Sequence, residues 1–414
     1  MHPYDSIDKV RTWRNTFVPL STLVAILAGA IAAYIVYTSP QFSYGSFESD
    51  TIHPIPPNFS APLEQKAYAT RKDVIGFLPY WAIGSNAKIY PEYMDQIIYF
   101  GVTLKSDGTI AKTDANNNPL PEWISLNSEN WDNVRSQASQ TDTKVLAAVK
   151  NFTKEEIETL LQNAPSKKRA IKTITDLMND YELDGINIDF EYFSGEDEES
   201  ANVFTEFITE LSAALRKEKV DAILSFDVNA TVVYTDVAYD MVKIGELMDQ
   251  VIIMGYDYHQ ATSNQSGPIA PIAMADGSPS LTKTIESLKG RVPSEKIILG
   301  TPLYGFEWQT ESAAYRAKTI PGTGAVATYK RVRELIENRD DVSIRFNEIS
   351  QSPWLSYSQN GLIKQVYYED ERSLQAKIDL IHEEKLDGIA LWALGYEGDY
   401  IEPWIVIKEG LRTP

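Results

Sequence analysis

From Val74 onward, apolar runs of strand length alternate with stretches whose apolar residues recur every three to four positions. The runs are 74–81 (VIGFLPYW), 96–104 (QIIYFGVTL), 144–150 (KVLAAVK), 184–192 (DGINIDFEY), 222–230 (AILSFDVNA), 249–258 (DQVIIMGYDY), 296–304 (KIILGTPLY) and 387–394 (DGIALWAL). Between them, Ile171, Ile174, Leu177, Met178 and Tyr181 fit one helical face, as do Phe204, Phe207, Ile208, Leu211 and Leu215. Strands alternating with helices read as βαβ units around a parallel sheet, and eight such units close into a barrel. The pattern therefore predicts an α/β fold, a (β/α)8 TIM barrel spanning 73–414. The stretch 309–370 is too long for one helical return, and it reads as a small α+β insertion after the seventh strand.

The N-terminal pattern is different. Phe17 to Tyr37 runs without a charge (FVPLSTLVAILAGAIAAYIVY). As a helix it would be about 31 Å long, close to the thickness of a bilayer core. The apolar part of a cleaved signal peptide is normally shorter, so 17–37 is expected to be a transmembrane signal anchor. Lys9, Arg11 and Arg14 precede it, and the first basic residue after it is Lys66. The excess of basic residues on the N-terminal side predicts a cytoplasmic segment 1–16 and a single-pass protein of the cell membrane, its barrel extracytoplasmic. Residues 38–72 contain Pro40, Pro54, Pro56, Pro57 and Pro62 with no apolar period, and read as a linker.

Composition narrows the function. The chain has no cysteine, 38 basic against 58 acidic side chains, and a formal net charge of −20. Absent cysteine excludes disulfides, iron–sulfur ligation and a thiol nucleophile. The acidic balance argues against a nucleic-acid partner, which requires a basic face. Four histidines (His2, His53, His259 and His382) are too few and too scattered for a histidine-rich metal cluster, and neither a metal nor another cofactor is expected.

The fourth run breaks the rule that buried parallel strands are apolar throughout. Side chains alternate along a strand, so Ile186, Ile188 and Phe190 share one face while Asn187, Asp189 and Glu191 share the other. The apolar face suits surrounding helices, and the polar one must point into the barrel. Acids crowded in a desolvated interior raise one another's pKa, which suits a carboxyl that has to remain protonated as a general acid. Glu191 is furthest along, at the end where barrel active sites lie.

The run DGINIDFE resembles the D-G-x-D-x-D-x-E signature of glycoside hydrolase family 18, the chitinase-like enzymes. GFLPYW in the first strand, Met254-Gly255-Tyr256-Asp257-Tyr258 in the sixth, GTPLYGFEW in the seventh and GIALWALG in the eighth are similar to their counterparts there, in the same order. The ending YYEDERSLQAKIDLI…LDGIALWALG is similar to a branch containing bacterial cell-wall and spore-cortex N-acetylglucosaminidases. The resemblance implies a retaining hydrolase cleaving β-1,4 links next to N-acetylglucosamine in chitin, peptidoglycan or an N-glycan. In it the substrate's own 2-acetamido oxygen is the nucleophile, an exception to the two-carboxylate rule.

Carried over by position, Glu191 matches the proton donor, Asp189 the residue holding the acetamido N–H, and Tyr256 a hydroxyl donor to the acetamido oxygen. Asp257 matches a contact to the neighbouring sugar and Trp392 the indole floor of the cleaved sugar's site, with Asp184 and Asn187 as supporting positions. Asn187 departs from the signature, whose middle residue is an acid sharing a proton with the neighbour that matches Asp189. An amide there is expected to donate to Asp189 and favour its ionised form.

Weaker candidates remain open between sugar contact and packing: Tyr80, Trp81 and Tyr304 at strand ends, Met254 with the parity of Tyr256, and Ser225, Asp227 and Asn229 with a shared parity in the fifth strand. The alternative function is a catalytically silent, sugar-binding barrel. Relatives of that kind typically lose the terminal glutamate of the signature, which this chain retains.

Overall fold

The computed structural model describes residues 70–84, 88–191, 198–234 and 239–412. Segment 1–16, the expected anchor 17–37 and the linker up to residue 69 lie outside the described residues. Among the described residues no helix is long and apolar enough to cross a membrane.

Eight parallel strands form a closed barrel: β1 (Asp73–Pro79), β2 (Gln96–Thr103), β3 (Lys144–Asn151), β4 (Gly185–Phe190), β5 (Ile223–Asn229), β6 (Gln250–Met254), β7 (Ile297–Pro302) and a last strand, Gly388–Trp392, which pairs with both β1 and β7. All eight apolar runs form strands of this barrel, a TIM-type architecture. Strand parity divides the core in two. Ile75, Phe77, Ile98, Phe100, Leu146, Ala148, Ile252, Ile298 and Ala390 fill the interior. Ile186, Ile188, Phe190, Leu224 and Phe226 point outward, into the layer shared with the helices.

The helices follow from their apolar faces. In Glu198–Glu218, Phe204, Phe207, Ile208, Leu211 and Leu215 are all buried, and the Phe207 ring stacks on Phe190 at 6.0 Å between centroids. In Ala164–Asp180 the buried set is Ala170, Ile174, Leu177 and Met178, and the Asn163 side chain caps the start by accepting from the Ser166 N–H at 3.0 Å. Ile171 and Tyr181, assigned to the same face, are only partly covered.

Between β7 and the last barrel strand the chain builds an antiparallel sheet of β8 (Tyr304–Thr310), β9 (Ala325–Thr328), β10 (Ser343–Asn347), β11 (Ser352–Gln359) and β12 (Leu362–Tyr367), ordered β10-β11-β12-β8-β9, with the helix Tyr329–Glu337 between β9 and β10. This sheet begins at Tyr304, earlier than the expected 309. Tyr304, Phe306 and Trp308 alternate as a strand and pack with Trp354 and Tyr367. Gly305 is required here, because a Cβ would meet the Tyr367 carbonyl oxygen at 1.9 Å.

Candidate active site

The C-terminal ends of the strands bring acids and aromatics to one mouth. Parity in β4 turns Asn187 and Asp189 inward, both almost fully buried, and Glu191 follows directly, its backbone N–H donating to the Asn151 carbonyl at 3.1 Å. Burial, with the Asp257 charge next, pushes the Glu191 carboxyl up to about 7. Asp189 is held well above the usual carboxylate range by burial and by the charges of Asp227 and Glu191. Asp227, inward on β5, is pushed up to about 8 by burial, partly offset by a hydrogen bond from Asn187. Crowded acids of this kind share protons rather than ionise together. Glu191 therefore keeps its proton well above the ordinary carboxylate range, as a general acid must.

The Asn187 amide points elsewhere than expected. Its Nδ2 donates to Ser225 Oγ at 3.1 Å and to Asp227 Oδ1 at 2.8 Å, while among the described residues Asp189 Oδ1 and Asn187 Oδ1 have no hydrogen-bond partner. Two acceptors on β5 capture both amide hydrogens, so the amide does not support Asp189. Asn229, half-buried at the end of β5, accepts from the Thr231 N–H at 2.9 Å. Asp184 does not reach the mouth either. It precedes β4 at the opposite end, accepting from Lys219 Nζ at 2.8 Å and from the Val145 N–H at 2.9 Å. It supports strand and helix rather than the cleft.

β6 and the turn after it supply the next wall. Met254, half-buried, has the inward parity of Ile252. Burial, with Asp227 and Asp189 next, keeps the Tyr256 hydroxyl protonated and so able to donate. Asp257 takes a left-handed backbone (φ 62°), uncommon outside glycine, and its carboxylate accepts from the Tyr304 hydroxyl. Burial raises the Asp257 pKa, and that hydrogen bond opposes the rise. Tyr304 is thus a partner of Asp257, packed edge-on to Tyr256 at 6.1 Å.

Trp392 ends the last barrel strand. Its indole packs edge-on to Phe100 at 4.6 Å and to Trp81 at 6.4 Å. Trp81 is 47% exposed at this rim, whereas Tyr80 turns into the outer core. Phe152, 48% exposed, continues the aromatic line from Phe100 at 6.5 Å. Phe100, Phe152 and Lys150 were missed in the sequence. Parity would have found Lys150, since Leu146, Ala148 and Lys150 share the inward face of β3.

A model of the family described as "Glycosyl hydrolases family 18" matches residues 73–397. The chain belongs to glycosyl hydrolase family 18. The family 18 chain is 28% identical over 290 residues to a cortical fragment-lytic enzyme of Bacillus subtilis, covering 67% of this chain and 62% of that enzyme. Its fold resembles the spore cortex-lytic enzyme SleL of Bacillus megaterium, with TM-score 0.66 and 23% identity over 83% of this chain and 74% of that one. It also resembles the Group IV chitinase of Ostrinia furnacalis, with TM-score 0.72 and 18% identity over 82% and 100% of the two chains. These two structural likenesses, at such identities, establish the fold alone. The family 18 chain spans 57–65% of the length of three curated Bacillus relatives it matches, that cortical fragment-lytic enzyme among them.

Proposed function

We propose that this chain is a membrane-tethered retaining glycosidase that cleaves β-1,4 links beside N-acetylglucosamine by substrate-assisted catalysis. The observation that carries this reading is Glu191, a half-buried carboxyl pushed up to about 7 at the mouth of the barrel, beside the unpartnered Asp189 oxygen.

In the reaction, Glu191 gives its proton to the glycosidic oxygen as the bond from that oxygen to C1 breaks. The acetamido oxygen of the same sugar forms the new bond to C1, giving an oxazolinium. Asp189 takes the acetamido N–H and offsets the positive charge, and Tyr256 donates to the acetamido oxygen. Glu191, now ionised, removes a proton from the water that opens the ring, so the anomeric configuration is retained. Trp392 provides an apolar floor for the pyranose, and Trp81 and Phe152 extend it.

The substrate is a polymer containing N-acetylglucosamine. The names of the relatives, a cortical fragment-lytic enzyme and a chitinase, support peptidoglycan glycan or chitin. The uncharged run 17–37 supports anchorage with the barrel outside the membrane.

The test is to offer the full-length chain chitin oligomers and purified peptidoglycan and to weigh the products. Fragments ending in N-acetylglucosamine from either polymer support the reading; binding without cleavage of both sinks it. Recovery of the chain from carbonate-washed membranes checks the anchor, and its appearance in the wash would remove that part.

A further inference from the structure

Lys150 is an ionisable side chain of the cleft that the proposed chemistry leaves unused. It follows Leu146 and Ala148 on the inward stripe of β3, where those two are buried in the barrel core. The strand register sets Lys150 beside Asp189 of β4 and beside Thr103 of β2, and residues in register on neighbouring strands present their side chains on the same face. Its Nζ donates to Thr103 Oγ1 at 3.1 Å and lies 5.6 Å from the Phe100 centroid and 5.0 Å from that of Phe152. Two rings and a hydroxyl thus hold the ammonium. Among the described residues no carboxylate closes an ion pair with it, whereas Lys377, buried elsewhere, lies 2.6 Å from Glu369. A cation kept in an acid-lined cleft without a paired carboxylate is free to act at short range on the acids around it.

Asp189 is the acid that needs such help. The amide of residue 187 is engaged by Ser225 and Asp227, and Asp189 Oδ1 is without a partner. Among the described residues no donor reaches that oxygen, and residue 187, an amide, has no acid proton to share with it.

We propose that Lys150 is a positioning residue, the counter-cation that lets Asp189 ionise and receive the acetamido N–H in place of a proton shared with residue 187. This rests on the hydrolase reading above. The groups that act on Lys150 are Glu122, which follows β2, and Asp189 and Glu191 at the end of β4. Asp227 and Asp257 reach the same acids from β5 and the turn after β6. Burial lowers the Lys150 pKa, and the three carboxylates oppose that fall. In return Lys150 lowers the pKa of both Asp189 and Glu191.

The test is kcat/KM against pH for the full-length chain on a chromogenic di-N-acetylglucosaminide, comparing wild type with Lys150→Met, Lys150→Gln and Lys150→Arg. Without the cation both acids bind protons more tightly, so the acid and alkaline limbs move together to higher pH, each by about 1 unit. At a fixed pH on the acid limb this is a loss of about tenfold. Lys150→Arg keeps the charge and is expected to keep the wild-type limbs. A purely structural role would instead lower the rate equally at every pH, with no rescue by arginine. Limbs of the Met and Gln variants superimposable on wild type would overturn the proposal, and the Gln variant gives the same reading if the Met variant does not fold. An inactive wild type would sink the hydrolase reading itself and this inference with it, whereas an active wild type with unmoved limbs sinks the inference alone.

Discussion

At the N-terminal end of the barrel, Asp95 accepts from the Val74 N–H at 2.9 Å and from Arg412 Nη1 at 2.6 Å, with Arg71 also paired to it. Asp73, beside it, accepts from Gln250 Nε2 at 3.3 Å, and Gln250 Oε1 accepts from Gln96 Nε2 at 2.9 Å. At the C-terminal end, Asp189, Glu191, Asp227 and Asp257 crowd one cleft with Lys150 as the cation among them, and Asp189 keeps an unpartnered buried oxygen. Burial with neighbouring acids pushes Asp73 only to about 6, against about 8 for Asp227. Acids that hold the barrel shut are given guanidinium and amide donors. At the mouth Asp227 and Asp257 accept only from neutral groups, the Asn187 amide and the Tyr304 hydroxyl, and Asp189 keeps an unpartnered oxygen, a charge state that the rest of the fold must stabilise. The difference separates a structural cluster from one prepared to receive a ligand.

That contrast can be broken by mutation. The largest effect is expected from Glu191→Gln, which removes the proton donor and should lower kcat by about 10²–10⁴, while the melting temperature stays equal or rises because a buried acid is gone. A variant that loses stability along with activity would put Glu191 in the same class as Asp95. Next, Tyr256→Phe removes one donor to the developing oxazolinium and should reduce kcat by about 10²–10³, read from saturation kinetics on an N-acetylglucosamine oligomer; an effect confined to KM would deny it that role.

Asp95→Ala sharpens the other side. Stripping the Val74 N–H and Arg412 of their acceptor should reduce unfolding free energy by about 1–3 kcal/mol in denaturant titration, with kcat unchanged. Asn187→Asp would place a like charge against Asp227 and move the pH–rate profile to higher pH; superimposable profiles would show that residue 187 is not part of the proton balance.

The smallest effect is on stability against pH. The folded pKa of Glu191, about 7, lies above its ordinary 4.5. The folded chain therefore holds that proton more tightly than the unfolded chain. Its contribution is fully present at pH below 4.5 and is lost as pH rises to about 7. The melting temperature should decline over this window, less steeply in Glu191→Gln, and parallel declines would remove Glu191 as a contributor.

Much of this is legible in the sequence. Period-two alternation named the inward face of β4, since a strand offers only two faces and only one was apolar. The same rule applied to β3 would have found Lys150. Asp184, by contrast, has the signature position but sits at the far end of the strand, where Lys219 and the Val145 N–H take its carboxylate. A motif gives order along the chain, not height within the barrel. Tyr304 shows the same limit, because its link to Asp257 joins residues far apart in sequence.

By itself the sequence determined the strand count, the inward stripe of β4 and the acid at its end, because these follow from local periodicity. Only tertiary structure decided which way the Asn187 amide turns, that Asp189 keeps a free oxygen, and that a cation from β3 stands in register with it. Those outcomes depend on competition among donors and acceptors brought together by barrel closure. No local stretch of chain contains all the competitors.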